Sequence, residues 1–108
     1  MANAYKVLGQ VADASANDVT LIADQNGETI VSTIVIANRE AATNTFRIAT
    51  KTDNSSVANT DYIAYDASIA ANDTITLTLG VTLQTGAEIS VGASDANVTF
   101  QAYGTEIT

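Results

Sequence analysis

The regular alternation of apolar and polar residues between positions 73 and 80 is the clearest structural signal in the chain. Its sequence is Asp-Thr-Ile-Thr-Leu-Thr-Leu-Gly, in which Ile75, Leu77 and Leu79 alternate with threonines. Successive side chains of a β-strand point to opposite faces, so this pattern predicts a strand with one buried and one solvated face. No segment of ten residues has the periodicity of an amphipathic helix. We therefore expect an all-β protein.

Similar alternating segments recur along the chain and predict about eight strands. They cover residues 6–12, 18–24, 28–38, 44–51, 61–66, 73–83, 87–92 and 97–103. Turn-forming residues separate them at intervals of about ten residues. This spacing is typical of one β-sandwich or jelly-roll-like domain of antiparallel strands, which we expect to cover residues 1–108.

Three connections carry local turn or bulge signals. Asn26-Gly27 favours the positive φ values of a two-residue turn, and it predicts a hairpin between strands 18–24 and 28–38. The small and polar residues 13–17 predict an earlier hairpin between the first two strands. Gly80 predicts a bulge, because a strand interior loses packing at glycine.

The longest predicted strand, residues 28–38, is apolar on both faces. Strict alternation assigns to one face Ile30, Ile34 and Ile36, and to the other Val31, Val35 and Ala37. Such a strand is buried on both sides, either in the centre of a sandwich or under a neighbouring subunit. Because 19 of the apolar residues are alanine, we expect a thin core that a partner surface completes. A homo-oligomer is expected, with three copies as the favoured number.

The charge of the chain limits its partners. Twelve acidic and four basic residues give a net charge of −8. A surface of this sign repels phosphate backbones and anionic lipid, so we expect neither nucleic acid nor a membrane as a partner. No apolar segment approaches the roughly 20 residues of a membrane-spanning helix.

The sequence offers little chemistry for catalysis. Histidine and cysteine are absent, which removes the usual general bases, thiol nucleophiles and transition-metal ligands. The carboxylates are scattered over predicted turns, and the glycines never form a phosphate-binding cluster. Residues 24–27 are too short for a dedicated calcium loop, although a cation at a subunit junction stays open. We therefore predict a protein that is not an enzyme and has no catalytic, cofactor or metal site.

Arginine and tyrosine provide the best candidates for contacts with another protein. Arginine forms bidentate pairs with carboxylates, and both residue types are enriched at interfaces. Together with the isoleucines of the two-faced strand, they form a candidate interface of Ile34, Ile36, Arg39, Arg47, Tyr62 and Tyr65. The alternative is a carbohydrate-binding module, in which the four tyrosines, Tyr5, Tyr62, Tyr65 and Tyr103, build a platform for sugar stacking.

Segments throughout the chain resemble a family of small virion structural proteins of tailed phages, particularly phages of cyanobacteria and other aquatic bacteria. The resemblance lies in residues 4–10 (AYKVLGQ), 31–39 (VSTIVIANR), 46–49 (FRIA), 62–66 (YIAYD), 71–75 (ANDTI), 77–80 (LTLG) and 104–108 (GTEIT). It implies a β-sandwich on the outer capsid surface of the virion, where a decoration or cement protein binds the major capsid protein and stabilises the head. A position in the neck, tail or fibre would suit the same segments.

Overall fold

The computed structural model describes residues 3–15, 18–23, 27–53, 55–78 and 80–107. Within these residues, nine strands form two open antiparallel sheets that pack against each other, which confirms the predicted β-sandwich. The strands are β1 (Asn3–Val11), β2 (Val19–Ile22), β3 (Glu28–Asn38), β4 (Asn44–Lys51), β5 (Tyr62–Ile69), β6 (Thr74–Leu77), β7 (Val81–Leu83), β8 (Glu88–Ala93) and β9 (Val98–Ile107). A 3₁₀ helix, Asn59–Asp61, precedes β5. No helix of the described part is long and apolar enough to cross a membrane.

The strands divide into two sheets, which we call sheet A and sheet B. Sheet A has the order β1-β9-β3-β6, and β7 pairs with the other half of the same β3 edge as β6. Sheet B has the order β2-β8-β4-β5. Phe46 of sheet B meets Phe100 of sheet A edge to face, with 6.3 Å between ring centroids. The other large side chains that are fully buried between the sheets include Val31, Ile34, Ile36, Ile48, Ile69, Leu83, Ile89, Val91 and Val98.

The predicted strand 73–83 is two strands in the structure. Gly80 adopts a φ of +63°, in the left-handed region that favours glycine, and it separates β6 from β7. The predicted bulge at Gly80 is therefore a break between strands. Leu79, assigned to the buried face from the sequence, lies outside the described residues.

Both predicted hairpins between the early strands are wrong. β2 pairs with β8 in sheet B, whereas β1 and β3 both pair with β9 in sheet A. The chain thus crosses from one sheet to the other before and after β2. The long β3 and β9 ladder, from Glu28 to Asn38, outweighs the local preference for a hairpin. The predicted Asn26-Gly27 turn itself includes residues outside the described ranges.

A bulge in β3 changes which of its side chains share a face. The register of β3 against β9 shifts between Val31 and Thr33. Val31 is consequently buried with Ile34 and Ile36, while Ile30 is 39% exposed on the outer face of sheet A. The prediction that Ile30 shares a face with Ile34 and Ile36 was wrong, because a bulge inserts one residue and reverses the alternation beyond it. Among the described residues, the core covers one face of β3.

Candidate functional site

The structure separates the six candidate interface residues into three groups. Ile34 and Ile36 are fully buried in the core and have no surface to offer a partner, so their assignment to an interface was wrong. Arg39 lies in the loop after β3. Arg47 and the two tyrosines of β5 come together on the outer face of sheet B.

Arg47 is held by a carboxylate that a bulge in β5 turns toward it. The register of β4 against β5 shifts between Phe46 and Ile48, so that Tyr65 and Asp66 both lie opposite Arg47. Asp66 has a φ of +51°, a left-handed conformation that aspartate tolerates better than most residues. Its Oδ1 accepts from Arg47 Nε at 2.7 Å, and its Oδ2 accepts from an η nitrogen at 3.2 Å. This bidentate pair fixes the guanidinium plane.

The guanidinium group also stacks on an aromatic ring. Arg47 Cζ lies 4.1 Å from the ring centroid of Tyr65, within the range of a cation–π interaction. Tyr62 meets Tyr65 edge to face, with 4.9 Å between centroids and 82° between planes. We call Arg47, Tyr62, Tyr65 and Asp66 the Arg47 cluster. Its parts hold one another in place, so little side-chain entropy is left to lose on binding.

The surroundings of the Arg47 cluster suit contact with another protein. Tyr65 is 58% exposed, and Ile63, on the same edge strand, is 47% exposed. A groove of about 330 Å³ beside the cluster is lined by polar and apolar groups that include Thr45 and Ser94. An exposed aromatic and arginine anchor beside a polar groove matches the composition of interface hot spots.

The ion pair makes one carboxyl group sensitive to acid. The hydrogen bond from Arg47 holds the pKa of Asp66 below its ordinary value of 3.8. A carboxyl group whose pKa is lower in the folded than in the unfolded protein stabilises the fold at pH values above its unfolded pKa. This contribution is lost as the pH falls through its folded pKa.

We expect Asp66→Asn to reduce the dependence of stability on pH in the acid range. The difference in free energy of unfolding between the wild type and the variant should be largest at neutral pH and should shrink below pH 3.8. Asparagine also tolerates the left-handed conformation of residue 66, so the substitution should leave the backbone strain there unchanged. Urea unfolding across the acid range measures this, and a difference that is the same at every pH would contradict the expectation.

Arg39 makes its contacts within the chain. Its Nε donates to Thr99 Oγ1 at 2.7 Å, and an η nitrogen donates to the carbonyls of Ala12 (3.0 Å) and Ala96 (3.3 Å). These bonds tie the loop after β3 to the end of β1 and the start of β9. Arg39 thus has a structural role at one end of the sandwich.

The four tyrosines do not form a single platform. Tyr62 and Tyr65 lie on the outer face of sheet B, whereas Tyr5 and Tyr103 lie in neighbouring rows on the outer face of sheet A. Within the Arg47 cluster, the guanidinium covers one face of Tyr65, and Tyr62 meets that ring edge to face. Sugar stacking needs an open ring face. This geometry favours a protein contact over a sugar contact at the Arg47 cluster.

Two residues of this surface were missed by sequence reasoning. Ile63 was taken for an ordinary strand residue, and Asp66 for a carboxylate at a strand end. An aspartate directly after a tyrosine, within an apolar segment, is a weak signal for a bulge. Nothing in the sequence predicts that this carboxylate faces Arg47, which lies 19 positions earlier.

The acidic residues of the described ranges are dispersed, and no three of them lie close enough together to hold a metal ion. In comparisons with known proteins, no protein-family model matches the chain, and no curated protein has a matching sequence. The resemblance to phage virion proteins therefore stays a prediction.

Proposed function

We propose that the chain is a non-enzymatic structural protein of a phage virion, a decoration or cement protein that binds the major capsid protein on the outer surface of the head. The Arg47 cluster is the observation that carries this proposal. It combines an exposed tyrosine, a stacked arginine and a bidentate ion pair on a rigid sheet. Such preorganised anchors bind proteins with little loss of entropy.

The charge of the chain supports a position outside the shell. A protein with a net charge of −8 is repelled by packaged nucleic acid and attracted by basic surfaces of other proteins. The Arg47 cluster is itself close to neutral, because Asp66 balances Arg47. The cluster therefore repels neither an acidic nor a basic partner.

Positions in the neck, tail or fibre are alternatives within the same proposal, because a protein bound there would use the same contacts of the Arg47 cluster. A carbohydrate-binding module is the alternative from another class. The described geometry gives it less support, because the tyrosines are divided between opposite faces of the sandwich.

We expect Tyr65→Ala to weaken binding to capsids by about 1 to 3 kcal/mol. The substitution removes the most exposed ring of the Arg47 cluster and the surface on which Arg47 stacks. Purified variant and wild type would be added to phage heads that lack the protein, and the amount bound after sedimentation would give the two affinities.

The matched control is Asp53→Ala, since Asp53 is exposed and, among the described residues, bonds locally to Ser55. It should bind capsids as the wild type does. Equal binding of both variants would show that the Arg47 cluster is not the docking surface. No binding of the wild type to any phage head would overturn the proposed function, and retention on isolated tails would move the protein there.

A further inference from the structure

We propose that the outer face of sheet A is the contact between two copies of this chain, which meet face to face. The face is defined by the register of its strands. One row across it contains Tyr5, Thr105 and Ile30, the next contains Val7, Tyr103 and Thr33, and a third contains Gln10, Gln101 and Val35. These side chains lie opposite to the core-facing set of Val31, Ile34 and Ile36.

This face is almost free of charge, although the chain is rich in acid. Lys6 and Glu106 lie on strands of sheet A, but they fall in the rows of Val31 and Thr29, which face the core side. There they pair with each other at 3.3 Å. Among the described residues of the outer rows, the one charged side chain is Glu28, at the first position of β3. Depletion of charge is what distinguishes the central part of a protein interface.

The lack of charge indicates which partner the face suits. A charged partner would gain no complementary contact on this face. Two copies with a net charge of −8 repel each other wherever their acidic surfaces meet. Like-charged copies therefore meet at lowest cost where both present the uncharged face of sheet A.

The exposed apolar side chains of the face provide anchors for this contact. Tyr5 is 82% exposed, and Val7 and Ile30 are both exposed beside it. A shallow groove of about 580 Å³ runs between Tyr5 and Tyr103 and could receive a side chain of the partner; Lys6, which is paired with Glu106, also contributes to its lining. Sheet A is four strand positions wide, with about 4.8 Å between neighbouring strands and about ten residues along the longer strands. Its outer face therefore measures roughly 600 Å². This approaches the roughly 800 Å² that each partner buries in a standard interface.

The contact has a defined symmetry. Because the uncharged face must meet the same face on the partner, the contact is isologous and closes as a two-fold dimer. A face-to-face pair differs from the three-copy assembly expected from the sequence. The face-to-face contact also covers the outer side of β3 with a neighbouring subunit. The inference is independent of the capsid proposal, since the dimer forms in solution without a capsid.

Sedimentation velocity of the purified chain, over a range of concentrations, tests the inference. We expect the wild type to form dimers and Ile30→Glu to weaken the dimer at least about tenfold, because two carboxylates would then be buried in an uncharged contact. Tyr5→Glu provides a second variant at a more exposed position. The matched control is Ile63→Glu. Ile63 is 47% exposed on the edge of sheet B, against 39% for Ile30, and this variant should dimerise as the wild type does. Thermal unfolding shows that each variant is folded.

The following results would overturn the inference. A wild type that is monomeric at every concentration would show that the face takes no second copy. Dimers that survive both Ile30→Glu and Tyr5→Glu, or that are lost in Ile63→Glu, would place the contact elsewhere. Binding of a monomeric wild type to a glycan, abolished by Tyr5→Glu, would assign the face to a sugar. Monomers that still bind capsids would overturn the dimer and leave the capsid proposal intact.

Discussion

Replacing Asn38 with aspartate is expected to lower the free energy of unfolding by about 3 kcal/mol. Asn38 ends β3 and is 3% exposed. Its Oδ1 accepts from Asn44 Nδ2 at 3.1 Å. Its Nδ2 donates to three carbonyl oxygens, those of Ala42 (2.8 Å), Ala70 (3.1 Å) and Ile69 (3.3 Å). Aspartate keeps the acceptor but replaces the donor by a charged oxygen that faces these carbonyls, and burying an unpaired charge is costly.

Asn59→Asp is the matched control for this prediction. Asn59 is exposed in the 3₁₀ helix, so the same change of chemistry there should alter the free energy of unfolding by less than about 0.5 kcal/mol. Urea unfolding of both variants gives the comparison. Similar losses in the two variants would mean that the amide of Asn38 does not hold the loop 39–43 against the end of β5.

We expect Gly9→Ala to cost about 3 kcal/mol, because β1 and β2 approach too closely at this point for any side chain. A Cβ at Gly9 would lie 1.9 Å from the carbonyl oxygen of Leu21. This oxygen belongs to the backbone of the facing sheet, and it cannot move away as a flexible side chain could. The register of β1 also shifts between Val7 and Gly9, so the close approach lies at a bulge.

Gly80→Ala separates steric overlap from backbone strain. Gly80 has a φ of +63°, but a Cβ there would meet nothing within 4 Å. The substitution should therefore cost about 1 kcal/mol, from the left-handed conformation alone. Thermal and urea unfolding of the two variants would be compared. A Gly9→Ala variant as stable as Gly80→Ala would show that the sheets separate readily at β2, contrary to the close approach of β1 and β2 at Gly9.

The strands whose bounds were best predicted are segments flanked on both sides by turn-forming residues. The bounds of β3 and β4 agree with the predicted segments 28–38 and 44–51. The order of strands in the sheets could not be predicted, because pairing depends on contacts between distant segments. β9 lies between β1 and β3, and no local signal identifies it as the partner of either. The predicted hairpin between β2 and β3 is absent, because both strands pair with distant segments.

Bulges account for most of the misplaced residues. One inserted residue near Ser32 moved Ile30 to the surface and Val31 to the core. A second bulge, in β5, places Asp66 opposite Arg47. Strict alternation of side chains between the two faces would not predict this contact. Arg47, Tyr62 and Tyr65 were chosen by residue type, since arginine and tyrosine favour interfaces, and the structure brings them together. Their role at an interface stays a prediction. Ile34 and Ile36 were chosen as apolar residues of a two-faced strand, but apolar strand residues are usually core, and both are buried there.

The two surfaces divide the proposed roles of the chain between the two sheets. Sheet B presents the Arg47 cluster, which is rigid and locally neutral, to a capsid protein. Sheet A presents an uncharged face to a second copy. A dimer arranged in this way would present two Arg47 clusters on opposite sides, and two binding modules in one assembly raise the overall avidity when both can engage.

A reconstruction of the intact phage particle that contains this chain tests the central claim most directly. The account predicts copies of the β-sandwich on the outer surface of the head, with Tyr65 and Arg47 of each copy against a major capsid protein. Density for the chain in the neck, tail or fibre alone would contradict the assignment to the capsid. A chain on the head with its Arg47 cluster facing solvent would contradict the docking surface, and its absence from the particle would refute a virion function.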